Sequence, residues 1–178
     1  MDARFKRVFM RICIISGPYK PQRCGISDYI DLLISEFSKI NIECVHTIIN
    51  HKNPLSKEAN NLPEADIYSI QFAPYFFSPT GLSAKPLQKL ATFLRNRKLH
   101  INLHEIWIGA YPKAKWKDKV GGWFQKKEIK LFLKESKPKI ITCSNSAALD
   151  RLQKENIKAQ YLYLFGTVPF SPCKNSNT

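Results

Sequence analysis

Six short apolar runs, residues 8–16, 42–49, 66–72, 99–103, 139–143 and 160–165, recur along the chain, and four stretches of helical periodicity lie among them. Runs this short, bounded by Gly, Pro or polar clusters, read as strands buried on both faces, and the helical stretches read as crossover connections. The pattern restricts the chain to an α/β architecture of three layers, a parallel sheet with helices on both faces. In such sheets ligands bind beyond the carboxyl ends of the strands. Three segments fall at those ends: 17–25, 104–111 and 144–145.

The punctuation between runs supports this order. Gly17-Pro18-Tyr19-Lys20-Pro21 ends the first strand, and Ser27 is placed to cap a helix whose first turn carries Asp28 and Asp31 and whose apolar face is Ile30, Leu33, Ile34 and Phe37. Residues 50–64 are polar with two prolines and form a loop or short irregular helix. Residues 73–83 hold Pro74, Pro79 and Gly81 among Tyr75, Phe76 and Phe77, a packed loop. Leu87, Leu90, Ala91 and Leu94 line one face of a helix over 84–97; a further helix over 123–135 is entered past Gly121-Gly122, and another spans 145–156.

The chain has 178 residues, 44% of them hydrophobic, enough for one domain with a sizeable core. The 28 basic residues outnumber the 14 acidic ones, a formal charge of +14 that predicts attraction to anionic surfaces. Five scattered cysteines, Cys13, Cys24, Cys44, Cys143 and Cys173, form no C-x-x-C pair, which argues for reduced thiols and against a disulfide framework or a metal site. Arg11 interrupts the N-terminal apolar run, and no cleavage signal follows; the sequence predicts a cytoplasmic protein that meets a membrane only from its surface.

Four groups of residues are candidates for chemistry. The first loop lacks G-x-G-x-x-G and G-K-[ST], but Cys24-Gly25-Ile26 stands at the mouth of a helix, where free N–H groups suit a phosphate. A glycine required only for tight packing accounts for Gly25 equally well. His104-Glu105 leaves a strand end with an imidazole beside a carboxylate, either a ligand-binding or acid–base pair or a structural one; H-E-x-x-H fails because position 108 is Ile. Ser144 and Asn145 start a helix, where one of them caps it or lines a site. Finally Lys115, Lys119, Trp123, Lys126, Lys127 and Lys130 form a basic, aromatic-bearing stretch, suited to anionic lipid, nucleic acid or an acceptor, or else a solvated helix face whose aromatics belong to the core.

Together the segments Arg11-Ile12-Cys13-Ile14-Ile15-Ser16, Cys24-Gly25-Ile26-Ser27-Asp28-Tyr29, Leu103-His104-Glu105-Ile106-Trp107, Ile141-Thr142-Cys143-Ser144-Asn145 and Leu164-Phe165-Gly166-Thr167-Val168-Pro169 resemble the N-terminal half of a GT-B-fold glycosyltransferase of the retaining family 4 type. The resemblance implies a Rossmann-like domain over 9–170, after a basic lead at 1–8 and before a tail at 171–178 where a linker to a second domain would begin. It implies that Gly25 lies against the donor diphosphate, that His104 contacts the transferred sugar and that Glu105 orients it. No tightly bound cofactor is implied, with a nucleotide-sugar as donor substrate and a glycan or glycolipid as acceptor. The family's E-x₇-E spacing is missing and Thr167 stands where Asn is frequent, so a separate C-terminal donor-binding domain or subunit is expected to complete the enzyme. Its location would be cytoplasmic, peripheral to the inner face of the plasma membrane. The competing reading is a non-enzymatic basic α/β module for anionic lipid or nucleic acid; no RRM, KH, OB or helix-turn-helix pattern supports nucleic acid.

Overall fold

A computed structural model describes residues 10–17, 25–49, 62–77, 81, 84–111 and 113–164. In chain order the elements are β1 (Arg11–Ser16), α1 (Gly25–Lys39), β2 (Glu43–Ile48), β3 (Ile67–Phe72), a 3₁₀ turn (Pro74–Phe76), α2 (Ala84–Leu94), β4 (Leu99–Leu103), α3 (Trp116–Ser136), β5 (Ile140–Cys143), α4 (Ser146–Lys154) and β6 (Gln160–Tyr161). All six strands are parallel, in the order β2-β1-β3-β4-β5-β6. The chain moves outward from β1 to β2, crosses back, and then proceeds the other way from β3 to β6. Right-handed crossovers therefore place α1 on one face and the later helices on the other.

Side-chain alternation along the strands shows the same division. Ile12 and Ile14 of β1 pack with Ile26, Tyr29, Ile30, Leu33, Ile34 and Phe37 of α1. Cys13 and Ile15 point to the opposite face, where Ile70, Phe72, Ile101 and Leu103 meet Leu87, Leu90 and Leu94 of α2, Ile129, Phe132 and Leu133 of α3, and Leu152 of α4. The result is the three-layer Rossmann-like α/β fold expected from the strand pattern. Among the described residues no helix is long and apolar enough to cross a membrane.

Several local expectations are corrected. Ser27 does not cap α1: it is the third residue of that helix as described, and buried. The helix expected from 123 begins at Trp116, so Gly121 and Gly122 lie inside it and do not mark its entrance. The reason is steric. A Cβ on Gly122 would collide with the Ile108 carbonyl oxygen, so this glycine lets α3 press against the loop that follows β4. The last strand is shorter than expected, with 162–164 irregular, and α2 ends at Leu94. The lead at 1–8, Cys24 and the exit at 165–170 lie outside the described residues.

Candidate functional site

Open α/β sheets hold ligands at the carboxyl edge of their strands, and in this sheet the strand order reverses between β1 and β3. A cleft of about 680 Å³ lies along this edge, lined by Pro74 and Tyr75 after β3, His104 to Tyr111 after β4, Asp118 of α3, and Asn145, Ala147, Ala148 and Arg151 of the β5–α4 junction. His104, Glu105 and Asn145 of the sequence-derived candidates border it. Ser144 is half-buried and is not part of its lining.

His104 is held from beneath by polar residues of the sheet itself. Parallel pairing sets Ser69 beside His100, Gln71 beside Asn102, and Asn102 beside Thr142, all on the face that carries α1. Gln71 is 1% exposed and Asn102 0%, so each polar atom there needs a partner. A closed circuit supplies them. Gln71 Nε2 donates to Ser69 Oγ at 3.0 Å, and Ser69 Oγ lies 2.9 Å from His100 Nδ1. On the other side of that ring His100 Nε2 lies 2.9 Å from Thr142 Oγ1. Thr142 Oγ1 donates to Asn102 Oδ1 at 3.0 Å, and Asn102 Nδ2 donates to Gln71 Oε1 at 3.1 Å.

Because each hydroxyl spends its single proton in a fixed direction, the circuit assigns the tautomer of His100. Thr142 donates to Asn102, so it must accept from His100 Nε2–H; His100 Nδ1 then accepts from Ser69. The Gln71 carbonyl also faces His104 Nε2 at 2.8 Å and, being only an acceptor, receives the proton of that nitrogen. Asn102 Nδ2 stands 3.2 Å from the same His104 atom, and since both are then donors the shorter contact to Gln71 is the one that assigns the proton to Nε2, while Asn102 Nδ2 donates to Gln71. The His104 Nδ1 lone pair is left without a partner among the described residues, on a ring that borders the cleft.

Burial, reinforced by the nearby His100, lowers the His104 pKa from 6.5 to about 4. The ring is therefore neutral at pH 7 and offers Nδ1 as a hydrogen-bond acceptor. The expectation that Glu105 orients His104 is corrected: Glu105 is exposed, the ring's Nε2 hydrogen bond goes to Gln71 of the neighbouring strand, and Gln71 does the holding. Successive side chains leaving a strand point to opposite sides, so an adjacent residue is poorly placed to reach the ring.

Helix α1 reaches the His104 ring. Tyr29 of α1 packs edge-on against His104 with ring centroids 5.3 Å apart, one turn beyond Gly25. Gly25 is exposed, and among the described residues a Cβ there would meet nothing within 4 Å. Ile26 turns into the apolar layer beneath α1. Asn145 is the cap of α4, its side chain accepting from Ala148 N at 3.2 Å. Cys143 is buried, and burial raises its thiol pKa, as suits a packed residue. Among the described residues no cluster of His, Cys, Asp or Glu could hold a metal ion.

The basic stretch separates into two groups. Lys126 and Lys130 share the Glu155 carboxylate, at 2.6 and 3.3 Å, and so tie α3 to the end of α4. Lys115, Lys119 and Lys127 are exposed, and Lys127 Nζ stands 3.5 Å above the Trp123 ring. The aromatics of this stretch are not core: Trp116 is 70%, Trp123 47% and Phe124 49% exposed.

Sequence reasoning does not single out Gln71, Asn102 or His100. The signal is present as polar residues at every second position, Ser69 and Gln71 in one strand, His100, Asn102 and His104 in the next, inside runs expected to be apolar on both faces.

No family model and no curated protein sequence matches the chain. Among solved structures, an alpha-glucosyltransferase in complex with UDP and a 13-mer DNA containing an HMU base matches with a TM-score of 0.52 and 16% identity over 87% of this chain and 41% of that one. An alpha-glucosyltransferase in complex with UDP-glucose and DNA containing an abasic site matches with a TM-score of 0.53 and 14% identity, over 86% of this chain and 41% of the other. An NADH-flavin reductase of Streptococcus pneumoniae TIGR4 gives a TM-score of 0.46 at 15% identity, over 75% of this chain and 70% of that chain. The chain spans about two fifths of the length of each glucosyltransferase chain, and what it shares with them is the fold.

Proposed function

We propose that this domain is the acceptor-side half of a GT-B glycosyltransferase of the family 4 type, acting with a donor-binding domain on a nucleotide-sugar and a glycan or lipid-linked acceptor. The observation that carries the reading is the neutral His104 imidazole, fixed by Gln71 and bordering a 680 Å³ cleft at the carboxyl edge of the sheet. A hydroxyl-rich ligand is what an unprotonated, rigidly oriented nitrogen acceptor suits. The fold likeness to part of two glucosyltransferases supports the same reading.

In this reading the chain's own residues bind and orient. His104 Nδ1 accepts a hydrogen bond from a sugar hydroxyl, and preorganisation by the circuit beneath it spares reorganisation as charge develops on the sugar. The opening turn of α1, at Gly25, directs backbone N–H groups and the positive end of the helix dipole toward the leaving diphosphate. A pKa of about 4 gives His104 the role of a neutral acceptor at pH 7 and removes it as a general acid.

The test is ligand titration of the ¹⁵N-labelled chain with nucleotide-sugars, oligosaccharides, a short-chain polyprenyl phosphate and a DNA oligonucleotide. Saccharide-induced shifts at His104, Trp107 and Asn145 that vanish in His104→Ala support the reading. Shifts confined to other surfaces, or none with any saccharide or nucleotide-sugar, contradict it.

A further inference from the structure

Helix α3 is apolar on two opposite sides. Gly122, Gln125, Ile129, Phe132, Leu133 and Ser136 are buried against the sheet and α2. Trp116, Val120, Trp123, Phe124 and Leu131 are exposed, and their spacing of four, three, one and seven residues sets them in one outward stripe. A surface helix of a globular protein ordinarily keeps that side polar, and a contiguous exposed apolar patch marks an interaction surface.

The stripe's surroundings identify the partner. Lys119, Lys127, Lys130 and Lys134 run along it, all exposed, and the helix as a whole carries six lysines against Asp118, Glu128 and Glu135. Tryptophan and phenylalanine with interspersed lysines match the boundary between headgroups and acyl chains, where the rings enter and the ammonium groups meet anionic lipid. The Lys127 ammonium itself sits over the Trp123 ring, so cation and aromatic face share one patch of the outward surface. A second copy of the chain would bring the same lysine row and a formal charge of +14 against itself. Single-stranded nucleic acid stacks its bases on aromatic rings in a groove, whereas this stripe is the convex side of a helix and includes aliphatic Val120 and Leu131.

We infer that the outward face of α3 docks the domain on an anionic lipid bilayer, lying in the plane of the interface. The amino-terminal turn of α3 also supplies Asp118 to the cleft wall, where it accepts a hydrogen bond from Tyr111 OH at 3.0 Å, so docking holds the cleft beside the membrane. The consequence that the acceptor is lipid-linked rests on the glycosyltransferase reading; the docking itself does not.

Flotation of the full chain with vesicles tests this independently of any transfer activity. Vesicles in which about a third of the lipid is phosphatidylglycerol should carry the protein, and pure phosphatidylcholine vesicles should not. Raising salt to ~0.5 M should weaken partitioning at least about tenfold, because ammonium–phosphate attraction is screened. The Trp116→Ser/Trp123→Ser variant and the Lys119→Glu/Lys127→Glu/Lys134→Glu variant should each lose about tenfold or more in partitioning with thermal midpoints unchanged. The inference is overturned by equal binding to both vesicles, by no binding, or by either variant partitioning like the parent. A monomer–dimer equilibrium abolished by the tryptophan variant would assign the stripe to self-association instead. An oligonucleotide that displaces the chain from the vesicles would assign it to nucleic acid.

Discussion

Gln71 on β3 and His104 just beyond β4 meet with the imidazole Nε2 2.8 Å from the amide Oε1, and the same oxygen accepts from Asn102 Nδ2 at 3.1 Å. One carbonyl thus satisfies two donors on the neighbouring strand segment, and its amide nitrogen closes the circuit through Ser69. Gln71→Leu would strand both donors in the sheet. Urea unfolding should report a loss of about 2–4 kcal/mol, more than a single hydrogen bond's net worth, because unsatisfied buried groups bear their full desolvation penalty. A change within a few tenths of a kcal/mol would show the circuit to be energetically idle.

Three histidines give the domain a defined pH dependence. Burial lowers the pKa of His104 to about 4, and it lowers those of His100 and His46 as well, although Asp31 partly opposes it at His46. The unfolded chain takes up these protons near pH 6.5, while the folded chain resists until lower pH. Their contribution is therefore complete above about pH 6.5 and is lost as pH falls toward 4. Urea midpoints should decline from pH 7 to pH 5, with a shallower decline in His104→Gln.

The adjacent glycines of α3 should respond oppositely to alanine. At Gly122 the added Cβ meets the Ile108 backbone, which can yield only by moving the loop that lines the cleft. Gly122→Ala should lower stability by about 1–3 kcal/mol. At Gly121 the nearest atom, at 2.9 Å, is the Ile108 Cδ1 methyl, the end of a flexible side chain. Gly121→Ala should be neutral or gain up to about 1 kcal/mol from helix propensity. Differential scanning calorimetry of the pair distinguishes close packing from a general intolerance of substitution.

Gly25 provides a test of binding separate from folding. Among the described residues nothing meets its Cβ position, so Gly25→Val should retain the fold and melt within a few degrees of the parent. If the opening turn of α1 receives a diphosphate, the valine should reduce nucleotide-sugar binding at least about tenfold, because the side chain would occupy the space of the anion. Unchanged binding would remove this turn from the site.

The strands are legible in the sequence because short apolar runs between Gly, Pro and polar clusters are what a strand buried on both faces requires, and the run 99–103 coincides with β4. The start of α3 is not legible. Gly121-Gly122 reads as a breaker in isolation, and only tertiary structure shows Gly122 making room for the Ile108 carbonyl. His104 stands out as an unusual residue at a strand end, whereas local sequence points to Glu105 as its partner. Strand pairing instead brings Gln71 to it from 33 positions away, and no local pattern encodes that register. The alternating polar residues of β3 and β4 are a readable departure from a doubly buried strand.

The proposed function depends on the state of the His104 ring, and ¹⁵N imidazole correlation spectroscopy of histidine-labelled protein observes that state directly. The expected result is a neutral ring with its proton on Nε2 and an unprotonated Nδ1 throughout pH 5.5 to 8, consistent with a pKa of about 4, and a shift of the Nδ1 resonance when a saccharide enters the cleft. A proton on Nδ1 in the free protein, or titration of the ring near pH 6.5, would contradict it.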